Sequence, residues 1–189
     1  MNFVIACCRV IVIVTLVTAC APWAMIKEPL VEGPGKSFTI ELPIGWVRAK
    51  FVPNAILATR DGIGIQFIEV VKRSHDNAFP RIKEKTEADM LPSEVAELVI
   101  AEIKTDERLS GLKVVRNAPA TIGGKTGFRL HLRMKNEDGL RYEAVVYGFV
   151  DEAGFYRLAF QAPAIHYFKR DLPAFEEVVK SFHLTGQSV

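Results

Sequence analysis

The sequence is nearly without cysteine: Cys7, Cys8 and Cys20 all fall within the first twenty positions. From Ala21 onward there is none, so a disulfide scaffold and a cysteine-ligated zinc site are both excluded from the folded part. Histidine is scarce too. His75, His131, His166 and His183 are scattered, and no close pair offers metal-ligand spacing. Excess charge is also lacking, with 24 basic against 22 acidic side chains, thoroughly mixed, and a net charge of +2. Nucleic acid binding calls for a basic face and a high pI, so no nucleic acid partner is expected. There is no internal repeat, no low-complexity tract and no G-x-S-x-G. Gly123-Gly124-Lys125-Thr126 ends like a phosphate-binding loop, but the earlier glycine of that loop is missing. A glycine turn between strands is the simpler reading. These absences lead us to expect no catalytic residues, no cofactor and no metal.

What is present begins at the N-terminus. Arg9 precedes the eight-residue apolar run Val10–Val17, then small residues Thr18 and Ala19, then Cys20. This order resembles a bacterial lipoprotein signal. The resemblance implies a signal peptide over 1–19, cleavage before Cys20 and diacylation of its sulfur. A single acyl chain holds a protein only marginally, whereas two or three tether it stably. Ala21 follows the cysteine in place of an inner-membrane retention aspartate, which points to the outer membrane, facing the periplasm. An uncleaved anchor and ordinary secretion stay open: Val10 to Ile26 is seventeen residues, the lower limit for a span, with Pro22 inside it. Residues 20–35, with Pro22, Pro29, Gly33, Pro34 and Gly35, read as the lipidated cysteine and a flexible tether. A single globular domain is then expected over 36–185.

Within that domain Ser37–Leu42 alternates apolar and polar, the period of a strand. Ala55–Arg60 and Ile63–Lys72 read as a hairpin around Asp61-Gly62. Pro92-Ser93 opens a helix, with Ser93 as expected cap and Val95, Leu98, Val99 and Ile103 as its apolar stripe. A strand at Lys113–Asn117 leads to three long ones: Thr126–Lys135, Leu140–Val150 and Phe155–Ala162. The middle strand is apolar on both sides, which requires cover on both faces of the sheet. Asp171 is expected to cap a last helix bearing Phe175, Val178, Val179 and Phe182. The expected class is α+β: an antiparallel sheet of six or seven strands flanked by helices in a three-layer α/β/α sandwich.

Three of these pieces carry a resemblance. They are the strand leading into Leu42-Pro43-Ile44-Gly45-Trp46, the strand Tyr156-Arg-Leu-Ala-Phe160, and the closing Phe175-Glu-Glu-Val-Val-Lys-Ser-Phe182. Together they resemble the PsbP-like α/β/α sandwich over roughly residues 36–185. The resemblance implies a binding or assembly protein, not an enzyme, and brings no catalytic set with it. Gly45 and Trp46 are expected to turn the chain and close over the core.

One candidate binding face stands out. Arg129, His131 and Arg133 alternate along one strand, with Arg141 on its neighbour and Glu143 nearby. Such a face could hold an anionic headgroup or other small anionic ligand, a glycan or an acidic protein partner. Two further segments are weighed. Residues 72–89 form a polar connection in which Phe79, Pro80 and Ile82 stand among charges. Tyr167 and Phe168 are expected to pack over the sheet edge, or else to line a groove. The expected function is a membrane-tethered, non-enzymatic protein-binding or assembly module. The alternative is a binder of a small anionic ligand.

Overall fold

Strand periodicity in the sequence reappears in the computed structural model, which describes residues 22–50, 52 and 54–185. The signal segment 1–19 and Cys20 lie outside the described residues. The strands are β1 (Trp23–Met25), β2 (Leu30–Glu32), β3 (Phe38–Glu41), β4 (Val47–Ala49), β5 (Ala55–Thr59) and β6 (Phe67–Arg73). Helix α1 (Pro92–Lys104) precedes β7 (Ser110–Ile122), β8 (Lys125–Lys135), β9 (Arg141–Asp151) and β10 (Gly154–Pro163). Helix α2 (Tyr167–Lys180) and β11 (His183–Leu184) close the chain. Instead of one sheet of six or seven strands there are two. An eight-stranded antiparallel sheet runs β1-β4-β5-β6-β10-β9-β8-β7, and a three-stranded one runs β11-β3-β2.

The extra strands come largely from the segment read as tether. Trp23 pairs with Ala49 and Val31 with Ile40, while Ile26 is 5% exposed. Its prolines punctuate short strands, and its apolar residues complete the core. Pro43-Ile44-Gly45 then turns as expected. Gly45 takes φ 83°, a left-handed conformation open to glycine at little cost, and Trp46 is buried.

The central sheet is apolar on both sides. Val145, Tyr147 and Phe149 of β9 join one cluster with Phe175, Val178 and Val179 of α2. Tyr142, Ala144 and Val146 join a second with Val95, Val99 and Ile100 of α1. A fully buried aromatic or aliphatic side chain contributes roughly 1.5–3 kcal/mol. The closing Ser-Phe pair fastens α2 to β3. Phe182 stacks on Phe38 at 4.9 Å, and the Ser181 hydroxyl accepts from the Glu41 amide at 2.8 Å.

Three local expectations are corrected. Ser93 does not cap α1. The helix starts two residues earlier, after Leu91, with Pro92 in its first turn and the Glu94 carboxylate accepting the Leu91 amide at 2.8 Å. Asp171 is no cap either but lies inside α2, 1% exposed and ion-paired. Asp61-Gly62 does not make a two-residue hairpin. Buried Thr59 and Gln66 bond to one another and to the loop amides of Gly62 and Asp61, so β6 starts at Phe67 and Ile63 stays exposed. Within the polar segment 72–89, Phe79 is fully buried and lies 4.9 Å from the Phe155 ring.

Candidate functional site

Register puts the predicted basic residues on one face. Arg129 lies opposite Tyr147, His131 opposite Val145, Arg133 opposite Glu143, and Lys135 opposite Arg141. Tyr147 and Val145 belong to the α2-side cluster, so this row faces α2. Strand β7 extends it, with Lys113 opposite Arg133 and Arg116 opposite His131. A register irregularity between Val114 and Arg116 brings both cations to the same side, whereas simple alternation along Lys113–Asn117 would put them on opposite faces.

The row divides into a spent part and a free part. Arg129 donates through Nε to the Tyr147 hydroxyl and through Nη2 to Glu176 of α2, both at 2.8 Å. Tyr147 in turn donates to Glu176 at 2.5 Å. Burial and then the Glu176 carboxylate push the Tyr147 phenol up to about 12, so it stays a neutral donor. His131 lies 2.5 Å from a Glu143 oxygen and stacks flat on Phe168, ring centres 5.5 Å apart. Both residues therefore hold α2 on the sheet. Arg133, Arg141, Lys113, Arg116 and Lys135 are exposed. Only Arg133 shares a carboxylate, Glu143 at 3.3 Å, and among the described residues the other four form no ion pair.

The other features fall to structural roles. Gly123 and Gly124, at φ 54° and 80°, make the tight β7–β8 turn expected of them. Phe168 is 5% exposed and packs on the sheet, so it lines no groove. Among the described residues no three His, Cys, Asp or Glu side chains come together as a metal site. None of the described helices is long and apolar enough to cross a membrane.

A second charged group was not read from the sequence. On the α1 side, Arg157 of β10 donates to Glu69 of β6 and, at 3.3 Å, to Glu102 of α1. Arg73 donates to the same Glu102 at 3.1 Å and to the Ala78 carbonyl at 2.8 Å. These groups line a cleft of about 330 Å³, with Arg81, Arg108 and Asp106 at its rim and Met134, Ala144, Val146 and Ala159 among its apolar walls. Arg108 hydrogen-bonds Asp106 and holds its carboxyl well below the usual carboxylate range. The signal available was a charge within a two-sided apolar strand, as in Tyr156-Arg157-Leu158 and Ile68-Glu69-Val70. The pairing itself spans three elements far apart in the chain.

No protein-family model and no curated protein matches the sequence. Solved structures do resemble the fold. The Ran-binding protein Mog1p of Saccharomyces cerevisiae aligns with a TM-score of 0.57 at 13% identity, over 85% of this chain and 96% of that one. The cyanobacterial PsbP, CyanoP, of Synechocystis sp. PCC 6803 gives 0.55 at 10% identity, over 88% and 95%. A Bacteroides thetaiotaomicron protein gives 0.50 at 13% identity over 84% of this chain, which spans about half (49%) of that protein's length. At such identities the likeness speaks for fold alone. The large antiparallel sheet with its two helices is the PsbP/Mog1-like α+β fold.

Proposed function

We propose that this chain is a membrane-tethered, non-enzymatic module of the bacterial cell envelope that docks a protein partner through the basic strip of β7–β9. The carrying observation is the register. It sets exposed Lys113, Arg116, Arg133, Lys135 and Arg141 on one sheet face, where Glu143 is the one carboxylate among the paired positions. Desolvating five cations needs matching carboxylates, and an open sheet face suits a broad acidic protein surface. The smaller-ligand alternative loses support at this face, because Arg129 and His131 are already engaged by Glu176, Tyr147 and Glu143. The yeast Mog1p neighbour, a Ran-binding protein, gives an analogy for protein binding on this fold. Lipid on Cys20 would hold the domain at the outer membrane, facing the periplasm.

Charge reversal tests the docking face. Arg133→Glu with Arg141→Glu is expected to abolish the partner that cross-links to the wild-type protein in intact envelopes, with folding unchanged because both side chains are exposed. Wild-type docking should also weaken as salt rises from about 0.1 M to about 1 M, where screening shortens from ~10 Å to ~3 Å. Undiminished cross-linking by the double variant would refute this face. Separately, Cys20→Ser is expected to remove acyl labelling and release the domain from membranes. Persistent labelling would move the anchor to Cys7 or Cys8.

A further inference from the structure

The α1-side cleft lies on the face of the sheet opposite the basic strip. Helix α1 packs chiefly on β7, β8 and β9, and meets Arg73 of β6 and Arg157 of β10 through Glu102. Burial differs between the two faces. Ile68, Val70, Leu158 and Phe160, facing α2, are fully buried, whereas Phe67, Glu69, Ala159 and Gln161, facing α1, stay half-exposed. Small side chains deepen the recess, since Ala144 and Ala159 line it where the opposite face carries Val145, Leu158 and Phe160.

The charges in the cleft do not balance. Four guanidiniums, Arg73, Arg81, Arg108 and Arg157, face three carboxylates, Glu69, Glu102 and Asp106. Each carboxylate is already engaged: Glu102 by Arg73 and Arg157, Asp106 by Arg81 and Arg108, and Glu69 by Arg157. One positive charge is left over. The Arg157 Nε is buried and, among the described residues, meets no acceptor. A buried donor without a partner is rare, and it asks for an acceptor. We propose that the cleft binds a small monocarboxylate with an apolar body. The carboxylate neutralises the surplus guanidinium charge, and the apolar body lies on Ala144, Ala159, Val146 and Met134. The volume of about 330 Å³ suits a compact molecule of this kind.

Octanoate titrated into the folded domain by calorimetry tests the assignment. Saturable one-to-one binding is expected, weaker by roughly 10–100-fold for 1-octanol, which lacks the charged acceptor. Ala159→Leu fills the recess and is expected to weaken octanoate by at least about tenfold. Arg108→Glu, at an exposed rim position, reverses the charge surplus and is expected to weaken it several-fold without unfolding the domain. Arg133→Glu with Arg141→Glu should bind octanoate like the wild type, which separates this site from the docking face. Absence of saturable binding would overturn the proposal. So would octanol binding as tightly as octanoate, indifference to both cleft variants, or loss in the Arg133/Arg141 variant.

Discussion

Asp171→Ala is expected to destabilise the domain by about 3–5 kcal/mol, the cost of breaking a buried ion pair from one side. For a domain of this size that corresponds to roughly 6–20 °C in melting temperature. The Asp171 side chain is 1% exposed and accepts from Arg60 at 3.1 Å, from Gln66 at 3.1 Å and from Arg170. Arg170 also reaches Asp61, so one carboxylate ties α2 to the whole 61–66 loop. Removing it strands Gln66, which is fully buried, with Asp61 as its remaining side-chain acceptor. The damage should spread to the basic face, since α2 carries the Glu176 and Phe168 that hold Arg129 and His131.

The same carboxylate gives a pH dependence. Burial alone would raise the Asp171 pKa, but hydrogen bonds from Arg170, Gln66 and Arg60 outweigh it and leave the group below its ordinary value. A depressed folded-state pKa means the unfolded chain takes up the proton first. Its stabilisation is therefore complete above the unfolded value of about 3.9 and is lost as pH falls through the folded one. Urea unfolding from pH 7 to pH 2 should show a stability loss beginning near pH 4 that is shallower in Asp171→Asn. Identical acid slopes would remove Asp171 from this role.

Glu102→Gln carries the second large effect. The Glu102 side chain is 6% exposed and shared by Arg73 and Arg157, themselves 24% and 13% exposed. The neutral amide keeps the shape but leaves two largely buried guanidiniums under-compensated, for an expected loss of about 3–5 kcal/mol. A Glu102→Gln variant within about 0.5 kcal/mol of wild type would show the pair to be solvated, as surface pairs are. Octanoate affinity should rise in the folded Glu102→Gln protein, since one competing carboxylate is gone. A fall would count against carboxylate recognition in the cleft.

What could be read without coordinates were the features carried by neighbouring residues. The three long strands, the glycine turns at 123–124 and 136–139, and the apolar stripes of α1 and α2 all follow from local periodicity and backbone sterics. The Leu42–Trp46 turn and the closing Ser181-Phe182 were legible for the same reason, and with them the PsbP-like fold. Helix starts were misread because several residues could cap. The choice fell on Leu91 and Glu94 once Pro92 took the first turn, and Asp171 was drawn inward by Arg60 and Gln66. The segment 22–35 was misread because its short strands gain stability only by pairing with β3 and β4, which composition does not reveal.

The candidate sites divide along the same line. Alternation along β8 alone put Arg129, His131 and Arg133 on one face. Only the tertiary structure decided which of them are free, because Glu176 and Glu143 approach from α2 and β9. The same strand pairing added Lys113, Arg116 and Lys135 to the strip. The cleft was wholly a tertiary product. Glu69, Glu102 and Arg157 sit on three elements that meet only when α1 docks on the sheet, and ion pairing over such distances leaves no periodic trace. The sequence alone determined the three long strands, the glycine turn at 123–124 and the apolar stripes of the two helices. Packing decided which charges are engaged and which are left to bind.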